Sequence, residues 1–111
     1  MTVKELADEL KLDVISGHDG LNHIIAGGYT SDLLSDVMGN AKEGQVWITL
    51  QTHKNVMAIA SIKEIAAIIL VKDNKPDKDT CLQSDEENIP VLSTYLPAFE
   101  IGGKIYNLLN Q

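Results

Sequence analysis

Apolar residues fall into two kinds of run along this chain, solid blocks of five or six and stripes at three- and four-residue spacing. Their alternation sets the expected element order. Val46-Trp47-Ile48-Thr49-Leu50 and Ala66 to Val71 are blocks rich in β-branched residues with little polar alternation, which predicts strands covered on both faces, as in parallel sheets. Between them, Lys54 to Glu64 has helical composition, but Val56, Met57, Ala58, Ile59, Ala60 and Ile62 leave it almost no polar face. Such a helix needs two neighbours.

The flanking segments carry local signals. Thr2-Val3-Lys4-Glu5 fits a capping box ahead of Leu6 and Leu10, so a first helix is expected to end near Leu10. Lys11 to Ser16 reads as a brief strand, Gly17-His18-Asp19-Gly20 as a turn, and His23 to Thr30 as a second extended stretch. Ser31 or Asp32 is placed to cap a helix with Leu33, Leu34, Val37, Met38 and Ala41 inward, closed by Gly44. Asp77 to Asn88 predicts a polar surface helix whose apolar positions are Cys81 and Leu82, and Val91-Leu92-Ser93 a last strand. Pro97 opens a terminal helix with Phe99, Gly103, Tyr106 and Leu109 on one stripe. Strands and helices alternating through such short connections predict an α/β fold: residues 1–111 as a single domain, a largely parallel sheet with helices on its faces.

Composition narrows the function classes. Nine lysines, no arginine and sixteen acids leave a net charge of −7, the wrong sign for a phosphate backbone, so no nucleic-acid partner is expected. The longest apolar run, Ile65 to Val71, is too short to span a bilayer, and one cysteine makes no internal disulfide. A cytoplasmic protein with no membrane partner is the expectation.

In parallel sheets, ligands gather where loops leave the carboxyl ends of the strands. The polar loop Thr49 to Asn55 leads into a helix N-terminus, where free amides favour an anion. The candidate ligand-binding residues are therefore Thr49, Gln51, Thr52, His53 and Asn55, assisted by Ser31, Asp32, Ser93 and Thr94. Helix capping explains the same residue types. No serine or cysteine nucleophile is tied to His53 by a local motif, and no catalytic residue is assigned. His18 and His23 match no zinc spacing, so neither a metal nor another cofactor is expected. Gly102-Gly103-Lys104 fails as a P-loop because Ala98 and Ile105 stand where glycine and a hydroxyl residue are required. The apolar Lys54 to Glu64 helix offers Val56, Met57, Ile59 and Ala60, together with Tyr106, as candidate dimer contacts, and a sheet and neighbouring helix of the same subunit covering both its sides is the equal alternative.

Val46-Trp47-Ile48-Thr49, Ile65-Ala66-Ala67-Ile68-Ile69-Leu70 and Ile89-Pro90-Val91-Leu92-Ser93-Thr94 with Phe99-Glu100 resemble the DRTGG domain over nearly the whole chain. That resemblance implies a fold similar to the N-terminal domain of HPr kinase/phosphorylase and to the DRTGG domain beside CBS domains in some pyrophosphatases, where it accompanies catalysis without performing it. Thr52-His53 stand in place of the family's Asp-Arg, and Val71-Lys72-Asp73 in place of Thr-Gly-Gly. Losing the arginine removes a planar five-donor cation, and losing the glycines removes a bare-backbone anion cradle. The expectation is a non-catalytic regulatory or dimerisation module, a homodimer with a protein partner or a small anionic ligand. A nucleotide sensor is the alternative, and an enzyme related to HPr kinase a third, weakened by the missing P-loop.

Overall fold

Two strands with apolar side chains on both faces organise the protein. In the computed structural model, which describes residues 1–111, β3 (Gln45–Thr49) and β4 (Ala67–Leu70) pair in parallel from Val46 with Ala67 to Thr49 with Leu70. Every residue from Val46 to Thr49 and from Ile65 to Val71 is buried. Two further parallel strands flank them, β2 (Gly27–Thr30) beside β3 and β5 (Val91–Ser93) beside β4. The remaining strand, β1 (Asp13–Ser16), adds to β5 antiparallel, giving the order β1-β5-β4-β3-β2.

Alternation along each strand sends successive side chains to opposite faces, and each face receives its own helices. Val46, Ile48, Ala67, Ile69 and Leu92 point to one side, where Val3, Leu6 and Ala7 of α1 (Val3–Leu10) and Ile101 and Ile105 of α5 (Ala98–Leu109) cover them. Trp47, Ile68, Leu70 and Val91 point to the other, under Val37 of α2 (Leu34–Asn40) and Val56, Met57 and Ala60 of α3 (Asn55–Lys63). The helix α4 (Lys78–Glu87) lies beside α3 and reaches β1. The result is a three-layer α/β/α domain, as the sequence predicts. No helix is long and apolar enough to cross a membrane.

Because β1 and β2 are consecutive in the chain but occupy opposite edges, residues 17–26 must cross beneath the sheet. They form a strap along the amino ends of the parallel strands. Gly17 and Gly20 lie against Asn88–Pro90 so closely that a Cβ on either would overlap backbone there, and Gly17 also has a left-handed φ of 70°. Further along, the His23 and Leu21 carbonyls accept the Val3 and Lys4 amides, and the Ala26 amide donates to Gly44. The first turn of α1 is thereby fixed, together with its capping box: the Thr2 hydroxyl accepts the Glu5 amide at 3.1 Å and the Glu5 carboxylate accepts the Thr2 amide at 2.9 Å.

Several local expectations are corrected. The strand expected over 11–16 starts only at Asp13, and the stretch 23–30 is a ladder only from Gly27. Around α2, Leu33 just before it and Met38 within it are exposed, and Val37 together with Ala41 just past its end carries the burial. Gly44 does not close that helix, which ends at Asn40; its φ of 80° turns the chain into β3, where its amide donates to the Glu64 carbonyl. In α5 the inward stripe is Ile101 and Ile105 supported by Ala98, Leu108 and Leu109, while Phe99 and Tyr106 face solvent. Both stripes are apolar, and the packing of Ile101 and Ile105 against the sheet chooses between them.

On α4 the buried positions are Thr80 and Ser84 rather than Cys81 and Leu82. Their hydroxyls are satisfied: Thr80 donates to the Thr52 carbonyl at 2.8 Å, and Ser84 accepts from Ser16 at 2.9 Å while donating to the Ile89 carbonyl at 2.6 Å. This helix is thus held by hydrogen bonds as well as by apolar contact. Ser84→Ala, which strands the Ser16 hydroxyl and the Ile89 carbonyl, is expected to destabilise by about 1–3 kcal/mol. Leu82→Ser, at an exposed position, should leave the thermal midpoint within a degree or two of wild type, about what a surface change gives.

Candidate functional site

The carboxyl ends of β2, β3, β4 and β5 lie on one edge of the sheet, and the loops that leave them carry the residues singled out from the sequence. The structure sorts those residues into two groups. Ser31, Asp32, Thr49 and Gln51 form the first. Asp32 Oδ1 accepts the Thr49 hydroxyl at 2.8 Å and the Leu50 amide at 2.8 Å, and its backbone carbonyl accepts Gln51 Nε2 at 2.9 Å. The Trp47 indole N–H donates to the Ser31 carbonyl at 2.8 Å, and the Ser31 hydroxyl accepts the Leu33 amide at 3.2 Å. Asp32 therefore does not cap α2; it fastens the loop after β2 to the loop after β3.

Ser93 and Thr94 form the second group, at the end of β5. Ser93 Oγ donates to the Asn74 carbonyl at 3.2 Å and accepts from Lys75 Nζ at 3.1 Å. Lys75 Nζ also lies 3.8 Å from Asp73 Oδ1. The Thr94 hydroxyl accepts the Leu96 amide, and its carbonyl accepts the Asp73 amide. Lys72 and Asp73 both take left-handed backbone at φ 57° and 59°. Side-chain-bearing residues thus hold a turn that glycine enters more readily.

Between these groups runs the Thr52 to Asn55 segment. The Thr52 carbonyl accepts both the Asp77 amide and the Thr80 hydroxyl, so the loop is tied to the start of α4. His53 Nδ1 accepts the Asn55 amide at 3.2 Å, which puts the ring proton on Nε2 in the neutral form. His53 is exposed and serves as a local cap at the first turn of α3. None of the five principal clefts is lined by a residue of Thr49–Asn55.

Two clefts lie nearby or opposite. At the end of β5, a cleft of about 350 Å³ joins Ser93, Thr94 and Tyr95 to Lys11, Lys104, Glu9, Asp13 and Asp73. Its charges are mixed, with two ammonium groups at hand for an anion. Under the opposite edge, a cleft of about 420 Å³ is lined by His23, Glu43, Ser61, Glu64 and Glu87. Sequence reasoning missed this second cleft, because only the strap brings His23 beneath residues forty positions away. His23 Nδ1 lies 3.3 Å from the Ala66 carbonyl, and Glu87 accepts the Ser61 hydroxyl at 3.0 Å. The Glu64 carboxyl is raised above its ordinary value by its hydrogen bond to Glu43 and by the repulsion between the two charges.

The candidate dimer contacts need revision. Val56, Met57 and Ala60 are enclosed by the chain's own sheet and helices, and Ile59 is half-covered against the same core. Val56, Met57 and Ala60 are used inside one subunit and are unavailable to a second, while Ile62 on the outer side of α3 stays exposed. Tyr106 alone of the five stands free, 68% exposed. No histidine shares a hydrogen bond with a hydroxyl or thiol, and no three metal-ligating side chains converge.

The arrangement defines a DRTGG-like α/β fold. One solved structure with this likeness is that of the CBS and DRTGG domains from the regulatory region of Clostridium perfringens pyrophosphatase, complexed with the activator diadenosine tetraphosphate. It superposes with a TM-score of 0.69 at 13% identity, over 94% of this chain and 45% of that one. No family model and no curated protein matches the sequence.

Two outcomes are expected. Asp32→Ala removes the acceptor of the buried Thr49 hydroxyl; because Asp32 is exposed, the loss is about 1 kcal/mol, with faster hydrogen exchange of the Leu50 amide as the local signature. The Glu64 carboxyl, raised in the folded state, adds stability below its ordinary range that is lost as pH rises through the raised value. Glu43→Gln should bring Glu64 back down and flatten that slope, as read by carboxyl NMR titration and by melts across the same pH range.

Proposed function

We propose that this chain is a regulatory module without catalysis of its own. The observation that carries the reading is the fold, held in common with the regulatory region of a pyrophosphatase. The hydrogen bonding at the strand ends supports it. Asp32, Thr49, Ser93 and Thr94 are engaged in binding loop to loop, whereas a catalytic group must be free to exchange protons or attack a substrate.

A second reading makes the module a sensor of a small anion such as a nucleotide. The cleft beside β5 favours it, since Lys11 and Lys104 face Ser93, Thr94 and Tyr95 across about 350 Å³. In the pyrophosphatase structure the bound activator is diadenosine tetraphosphate. The present chain spans less than half of that regulatory region, so the polypeptide contributing the activator site there need not be the part in common. Nucleotides are nonetheless the first ligands to test.

Melting the purified chain with AMP, ADP, ATP and diadenosine tetraphosphate separates these readings. A sensor at a hundred times its dissociation constant gains about 2.7 kcal/mol, which raises the midpoint by roughly 10–20 °C. Lys104→Ala, at an exposed position, should abolish that rise without altering the ligand-free midpoint. No rise with any of the four removes the nucleotide reading and leaves regulation through protein contact. Phosphoryl transfer or nucleotide hydrolysis by the pure chain would overturn the regulatory assignment itself.

A further inference from the structure

One face of the protein is left bare in a way its own fold does not explain. On the outer side of α5, Phe99 is 89% and Tyr106 68% exposed, with Gly102 and Gly103 between them. A Cβ added to either glycine would meet nothing within 4 Å. Neither glycine is needed for packing within the subunit, and glycine in a helix interior weakens it relative to alanine. The face continues onto β2, which has β3 on one side only. A groove of about 400 Å³ runs between the two elements, from Gly27 and Gly28 to Gly102 and Tyr106.

Charge identifies the occupant. Neither this groove nor the neighbouring hollow around Phe99 contains a charged lining residue, although charged residues make up 23% of the chain and its net charge is −7. A basic partner would be met by acids. A partner as acidic as the chain itself requires a contact free of charge.

We infer that this face is the contact between two copies of the chain, related by a twofold axis passing between Gly102 and Gly103. The helices then cross antiparallel with bare backbone at the axis. Phe99 meets the partner's Tyr106 on one side, and Tyr106 meets the partner's Phe99 on the other, in two identical aromatic pairs. Such self-complementarity is what an isologous contact demands. The two side chains supply roughly 300 Å² per subunit at about 200 Å² per aromatic. A standard interface buries approximately 800 Å² per partner, roughly a seventh of the 5922 Å² surface, so the aromatic pairs form its centre and the uncharged residues around them its surround.

The test is molar mass by sedimentation equilibrium over a wide concentration range. Wild type is expected at twice 12.1 kDa, with no larger species. Phe99→Lys and Tyr106→Asp, each alone, should raise the dimer dissociation constant by at least about thirtyfold, the loss of an aromatic hot spot. Both positions are exposed, so far-UV circular dichroism should stay unchanged. Combining the two substitutions in one chain sets opposite charges against each other twice across the axis and should restore the dimer. Ile62→Asp, on the exposed side of α3, should change nothing. A wild type that remains monomeric at high concentration would overturn the proposal and leave the groove to an extended peptide beside β2. So would a dimer indifferent to both single changes, growth into open-ended assemblies, or a double variant no tighter than the singles.

Discussion

The double-sided burial of β3 and β4 is the constraint on which the rest depends. Backbone at the centre of the sheet has no water, so its polar groups must pair with neighbouring strands, and its apolar side chains must be covered above and below. Five helices supply the cover: α1 and α5 on one face, α2 and α3 on the other with α4 beside them. The unusual apolarity of α3 follows directly. It sits among the sheet, α2 and α4, and those contacts absorb Val56, Met57 and Ala60, leaving Ile62 on its outer side exposed.

The same constraint leaves the two ends of the strands as the places where polar chemistry can collect. At the carboxyl edge, side chains that look free in the sequence are bound to one another: Asp32 joins the first two loops, and Ser93 with Lys75 joins the last two. At the amino edge the strap holds the first helix and borders an acidic cleft. The carboxyl edge of a domain built this way is thus cross-linked loop to loop by hydrogen bonds.

Much of the fold is legible in the sequence because its signals are local. The Thr2–Glu5 capping box and the solid blocks at Val46–Leu50 and Ala66–Val71 each depend on neighbours within a few positions. What was not legible depends on long-range geometry. The terminal helix carries two apolar stripes, and periodicity alone cannot say whether Phe99 or Ile101 faces the sheet. Thr80 and Ser84 look like surface residues until the carbonyls of Thr52 and Ile89 are brought beside them. The sequence locates the candidate residues at the carboxyl ends of the strands, but their mutual hydrogen bonds are not legible there, because the partners lie on different loops.

The strap has a further consequence for how the chain acquires its structure. Asp13 pairs with Ser93, so the first strand has no sheet to join until the last one has been made. During synthesis the amino-terminal helix and its strand emerge first and must wait through some eighty residues. Meanwhile the four parallel strands can assemble from neighbours close in sequence. The final closure, with Gly17 and Gly20 sliding against Asn88–Pro90, carries the largest loop-closure entropy in the molecule and belongs late in folding. Until it occurs, the apolar inner faces of α1 and β5 stand uncovered, which is the interval in which the nascent protein is most exposed to misassociation.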